Sequence, residues 1–149
     1  SPLSSSSAAS DVYKRQVYTH ENCQAVLPNV LYGGKIDYYN DMPTVFQRSR
    51  INLNITLKTI QTGIPLRAWD ILGCGGFLLS NFQQEPCEYF VPGEDFVYYE
   101  STDDAVEKAA YFLSHENERI EIAHNAVEKI AAYHTYNHRV EEMFEIINS

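Results

Sequence analysis

The run from Thr62 to Asn81 constrains the fold more than any other part of the chain. Gly63 frees the backbone just before Pro65, whose fixed φ and missing N–H suit the first turn of a helix. On that helix Arg67 and Asp70 stand three apart on one face, while Trp69, Ile71 and Leu72 cover the rest. Gly73, Gly75 and Gly76 then stop it, because a left-handed residue is cheapest as glycine. Phe77 to Leu79 follows as an unbroken apolar run, the pattern of a strand buried on both faces of a parallel sheet. The first N–H groups of a helix lack intrahelical acceptors, so the turn at Gly63 and Ile64 is placed to receive a diphosphate.

The flanking sequence extends the same alternation. Val17 to Thr19 reads as the end of a strand, and Val30 to Tyr32 as a short strand turned by Gly33-Gly34. Asn40 or Asp41 can cap a helix that takes Pro43 in its first turn and runs to Ser49. Ile51-Asn52-Leu53-Asn54-Ile55 alternates apolar and polar residues, which is strand periodicity. Asparagines buried in a sheet must end the strand or bind something. Glu85 to Phe90 reads as a short helix, and Phe96 to Tyr99 as a strand bounded by Pro92-Gly93. Ser101 with Asp104 resembles a capping box ahead of Ala105, Ala109, Phe112 and Leu113 at helical spacing. Ile120, Ala123, Val127, Ile130 and Ala131 repeat that spacing, and so do Val140, Met143, Phe144 and Ile147 after a cap at Thr135. These elements predict an α/β domain with a parallel sheet and a helical C-terminal tail.

The net charge of −9 repels polyanions, so nucleic-acid and anionic-membrane partners are not expected. The densest acidic stretch, Asp103 to Glu121, reads as solvated helix surface. No run reaches the roughly 18 apolar residues of a membrane span. Cys23, Cys74 and Cys87 are odd in number and form no CxxC pair, which points to a reduced, cytoplasmic setting, with Cys74 as a small packed residue. Of the five histidines only His134 and His138 stand four apart, and no third ligand accompanies them, so no metal site is expected. His134 reads instead as a polar plug between the last two helices, holding a backbone carbonyl.

Leu53-Asn54, Pro65-Leu66-Arg67 with Asp70, Gly75-Gly76-Phe77-Leu78-Leu79, Pro92-Gly93-Glu94-Asp95, Val97-Tyr98-Tyr99 and His134-Thr135-Tyr136 before Arg139 occur in the order shown by one family. From Val17 to Ile147 the chain resembles the C-terminal domain of GT-B glycosyltransferases, most closely the CgeB-like branch associated with spore proteins. The resemblance implies a Rossmann-like parallel sheet that binds a nucleotide-diphosphate sugar, with no cofactor and no obligatory metal. It also implies glycosyltransferase activity for the whole enzyme, with an acceptor-binding N-terminal domain missing and this piece inactive alone. The first sixteen residues, ending Asp11-Val12-Tyr13-Lys14-Arg15-Gln16, resemble a translated sequencing-library adaptor. They are set aside as a non-native, disordered segment, leaving 17–149 as a partial donor-binding domain.

Open parallel sheets bind ligands outside the carboxyl ends of their strands. That rule selects Asn54, Thr56, Thr59, Ser80, Asn81 and Gln83 as hydrogen-bonding candidates, with backbone turn chemistry as the alternative. The resemblance adds Asp70 as the acid that holds the donor ribose. Arg67 faces the diphosphate or pairs with Asp70. The expected donor site is therefore Asn54, Gly63, Ile64, Arg67, Asp70, Ser80 and Asn81, with Glu85 and Glu88 near the same edge. Many relatives that retain stereochemistry carry a Glu where this chain has Thr62, eight residues before Asp70. That departure supports the alternative of a non-catalytic spore or cell-surface module of the same fold. A dinucleotide reductase would place GxGxxG after the first strand, whereas Gly73-Cys74-Gly75-Gly76 stands between helix and strand.

Overall fold

The computed structural model describes residues 15–18, 30–57 and 62–149. The chain divides into two compact units, Ser1–Asp41 and Met42–Ser149. In the first, β1 (Arg15–Tyr18) pairs in parallel with β2 (Val30–Gly34), with an irregularity between Val17 and Tyr18. Arg15 and Gln16, from the segment set aside above, thus open a strand, and residues 1–14 lie outside the described residues. Asp37 builds the following turn by accepting from the backbone N–H of Tyr39 and Asn40 at 3.0 and 2.7 Å.

The second unit is an α/β domain. Its elements are α1 (Met42–Arg48), β3 (Asn52–Asn54), α2 (Leu66–Gly73), β4 (Leu78–Asn81), α3 (Pro86–Tyr89), β5 (Val97–Tyr99), α4 (Thr102–Ser114), α5 (Glu116–Tyr133) and α6 (Tyr136–Asn148). β3, β4 and β5 form a parallel sheet in that order, Asn54 standing beside Ser80 and Asn81 beside Tyr99. The fold expected from sequence, Rossmann-like with a helical tail, is the fold observed.

β4 is central, one residue later than the apolar run suggested. Leu78 faces a core of Ala68, Ile71, Leu72, Phe90, Phe96 and Ala126, while Phe77 and Leu79 face Val97, Phe112, Ile122 and Ala123. Each of the fully buried Leu, Ile and Phe side chains among these contributes about 1.5–3 kcal/mol relative to exposure. β3 inverts the usual rule. Asn52, Asn54 and Thr56 are buried, and Leu53, Ile55 and Leu57 lie 55–69% exposed. Asn52 is satisfied where it sits, donating to the carbonyls of Phe46 and Phe77 at 3.0 and 3.3 Å.

α2 ends in a Schellman motif. Gly75, at φ 78°, donates to Leu72 O at 3.1 Å, and Gly76 donates to Ile71 O at 2.9 Å. Its start departs from expectation, for Pro65 is the N-cap with extended ψ and the first helical residue is Leu66. The cap of α4 also differs in detail: Ser101 Oγ accepts from Asp104 N at 3.1 Å, but the Asp104 carboxylate reaches back to Glu100 N at 2.9 Å. On α5 the buried stripe is Arg119, Ile122, Ala123 and Ala126, so Ile120 of the predicted stripe is exposed and an arginine is buried instead. α6 forms as predicted behind Thr135, yet none of its residues is buried. No helix among the described residues is long and apolar enough to cross a membrane.

Candidate functional site

The carboxyl edge of the sheet brings Asn54, Ser80 and Asn81 together. Asn54 is the last residue of β3, so its side chain leaves the sheet beside Ser80 of β4, its register partner. Asn54 Nδ2 donates to Ser80 Oγ at 3.0 Å and to Thr56 Oγ1 at 3.2 Å. Asn81 grips the strand exit at two points: Oδ1 accepts from Thr56 N at 2.7 Å, and Nδ2 donates to Thr56 O at 3.0 Å. Tyr99, on β5, donates its hydroxyl to Asn54 O at 3.3 Å. Burial raises the Tyr99 pKa above its ordinary value, which keeps that hydroxyl a donor. The arrangement is neither free side chains nor local turn chemistry but a cross-strand network that fixes the backbone where the loops depart. Gln83, just beyond β4, has a buried Oε1 that accepts from no described residue. Thr59 lies outside the described residues.

The second group of candidates lies on the approach to α2. Gly63 adopts φ 93°, a left-handed conformation that a side chain would strain. Its N–H, expected to face a diphosphate, donates to the Glu85 carboxylate. Ile64 packs half-buried against the core, Arg67 is exposed on the first turn of α2, and Asp70 is half-buried on the second. Cys74, one turn beyond Asp70, has its thiol pKa raised by burial and then by the Asp70 charge, which suits a packed residue and not a nucleophile. Side-chain hydrogen bonds join Asn54 to Ser80 directly and to Asn81 through Thr56, and a separate one ties Gly63 to Glu85.

Open parallel sheets take ligands outside the carboxyl ends of their strands, and that is the edge where Asn54, Ser80 and Asn81 gather and where a glycine turn enters the helix after β3. The glycosyl transferase-like family matches residues 6–145. The chain belongs to that family. The match opens inside the segment 1–16 that the sequence reading set aside. No curated protein matches the chain.

Several motif residues of this glycosyl transferase-like domain serve its frame. Asp95, 3% exposed, accepts from Val91 N at 2.7 Å and pairs with Lys129 of α5, while Asn125 donates to Glu94 O at 3.0 Å. The Pro92-Gly93-Glu94-Asp95 loop is thereby fastened to α5. Among the described residues the side chain of His134 holds no backbone carbonyl. Its Nδ1 accepts from Arg139 Nη2 at 2.9 Å, and its ring lies 5.4–5.8 Å from those of Trp69, Tyr89 and Phe90. His138 turns to the cap instead, Nδ1 accepting from Thr135 N at 3.2 Å, so the two histidines four apart serve different ends. Sequence reading named Thr56 as a candidate for ligand hydrogen bonds and not as the link between Asn54 and Asn81, and it passed over Tyr99 as a network member and Glu85 as the partner of Gly63. The signal available was the register of three adjacent strand ends, which a periodicity argument does not use.

Proposed function

We propose that the chain is the donor-binding half of a GT-B glycosyltransferase of the CgeB-like type, holding a nucleotide-diphosphate sugar at the carboxyl edge of its sheet. The observation that carries this reading is the convergence of Asn54, Ser80, Asn81 and Tyr99 at that edge in a chain of the glycosyl transferase-like family. The hydrogen-bonded network would give the nucleotide a rigid floor. Asp70 would accept the ribose hydroxyls, and the Gly63 and Ile64 amides with Arg67 would face the diphosphate. The positive end of α2 and the Arg67 guanidinium would then stabilise charge developing on the departing nucleoside diphosphate. No metal is assigned a part in this scheme, and a second domain would present the acceptor.

A carboxylate accepting two ribose hydroxyls contributes on the order of 1.5–3 kcal/mol. Asp70→Asn is therefore expected to weaken nucleoside diphosphate binding roughly 10- to 100-fold with little loss of stability. Arg67→Ala is expected to weaken nucleoside diphosphates more than the bare nucleoside. Calorimetric titration of both variants checks this, and an Asp70→Asn protein that binds like the wild type but melts several degrees lower would show the acid to be structural.

One observation favours the alternative of a non-catalytic module: the Gly63 amide is already held by Glu85. If that carboxylate is a stand-in for phosphate, Glu85→Gln tightens diphosphate binding. If it closes the site for good, Glu85→Gln leaves binding undetectable and only lowers stability.

A further inference from the structure

Three of the eleven lysines and arginines of this acidic chain meet at one place. Arg48, Arg50 and Arg119 line a cavity of about 470 Å³, together with Glu116, Phe77 and Ile120 among others. Arg48 closes α1 and Arg50 precedes β3, Phe77 precedes β4, and Glu116 and Arg119 stand on the first turns of α5. The cavity is therefore at the edge where the strands begin, opposite the edge that carries Asn54, Ser80 and Asn81.

Arg119 is the unusual member. It is only 6% exposed, and its Nη1 is buried with no acceptor among the described residues. Nη2 donates to Glu116 Oε1 at 3.2 Å, but the Glu116 side chain is 68% exposed. A buried guanidinium with half its fork unmatched is costly, and a solvated carboxylate repays little of that cost. α5 also starts without a side-chain cap, so its positive end adds to the local potential.

We propose that this cavity binds a small phosphorylated organic molecule. Two phosphate oxygens take both terminal nitrogens of Arg119 in the bidentate geometry that suits a guanidinium, and Glu116 swings out to solvent. Arg48 and Arg50 flank the anion. Phe77 and Ile120 supply apolar surface for the organic body, and the net charge of −9 with Glu116 at the rim disfavours a polyanion.

The test is a titration of the whole 149-residue chain with inorganic phosphate and, separately, a hexose phosphate, followed by amide chemical shifts and calorimetry. Saturable binding is expected, tighter for the hexose phosphate, with shifts centred on Phe77, Arg119 and Ile120. Arg48→Gln, at an exposed position, is expected to weaken it about five-fold, and Glu116→Gln to tighten it by a similar factor. Because both variants alter exposed side chains, the test does not depend on whether a substitution of buried Arg119 folds. Lack of saturation at millimolar concentrations, shifts centred instead on Gly63 and Ile64, or indifference to both substitutions would overturn the proposal.

Discussion

Gly73, Gly75 and Gly76 look alike in sequence, as three stops in a row, but each does a different thing. Gly73 is still helical, and a Cβ there would meet only Ile130 Cδ1 at 4.0 Å. Gly75 supplies the left-handed turn. At Gly76 a Cβ would lie 2.7 Å from Asn52 Nδ2, 3.0 Å from Phe46 O and 3.1 Å from Ile71 Cγ2, inside the very hydrogen bond that Asn52 makes to Phe46. Gly76→Ala is therefore expected to cost about 1–3 kcal/mol through overpacking and displacement of Asn52. Gly73→Ala should be neutral or stabilise by up to about 1 kcal/mol, because it removes freedom from the unfolded chain. Thermal melts of the two variants check the contrast, at roughly 2–4 °C per kcal/mol for a chain of this size. The same scale explains why the asparagines of β3 were legible as a problem but not as a solution. Alternation showed that they share a face, yet their acceptors, Phe46 O, Phe77 O, Ser80 Oγ and Thr56 Oγ1, lie mostly on other elements.

Elements were the most legible level, because caps and periodicity are local. The starts of α4 and α6 follow from Ser101 and Thr135, although the second box is completed by His138 where Glu is usual. Burial was less legible, for helical spacing reports a stripe and not what covers it: the stripe on α6 is Val140, 48% exposed, with Met143, Phe144 and Ile147 at 60–74%. What anchors the junction of α5 and α6 is His134, whose pKa is lowered by burial first and then by the charges of Arg139, His138 and Lys129. The fold thus prefers the neutral ring, with Nδ1 accepting from Arg139. A depressed pKa means that the unfolded chain takes up the proton more readily, so this group's stabilisation is full above about 6.5 and is lost as pH falls through the lower folded value. Melting temperature is expected to drop between pH 7.5 and 5.5, and the slope to flatten in His134→Gln, which keeps an acceptor for Arg139 but does not titrate. An unchanged slope in that variant would place the titration elsewhere. Asp104 acts in a lower window. Its pKa is depressed by the Glu100 N–H and then by Lys108, so its contribution is present above 3.8 and disappears only in stronger acid.

On the scale of the whole domain, the sheet separates two polar edges that sequence order interleaves, which is why only one was anticipated. Net charge concealed the arginine cavity, since an average of −9 says nothing about three cations brought together by α1, β3 and α5. The carboxyl edge was legible because every parallel strand delivers its last residues there. Its network, however, consists of Asn54, Thr56, Ser80, Asn81 and Tyr99, all neutral, with Tyr99 held protonated. Such a floor can orient a donor, but it supplies no base to take a proton from an acceptor hydroxyl, a step that needs a titratable group within hydrogen-bond reach. On the proposed function, in which a second domain presents the acceptor, the chain is expected to bind a nucleoside diphosphate without transferring a sugar. At a ligand concentration 100 times Kd, binding stabilises by about 2.7 kcal/mol, an upward shift of several degrees in Tm. The comparison is a melt of the chain with and without nucleoside diphosphates, repeated with a chelator, beside an assay for nucleoside diphosphate release from nucleotide sugars with and without common acceptors. A Tm shift that survives the chelator, with no acceptor-dependent release, is the expected result. Acceptor-dependent release at enzymatic rates would mean that the base lies within this chain, and Asp70 and Glu85 would be the first residues to replace.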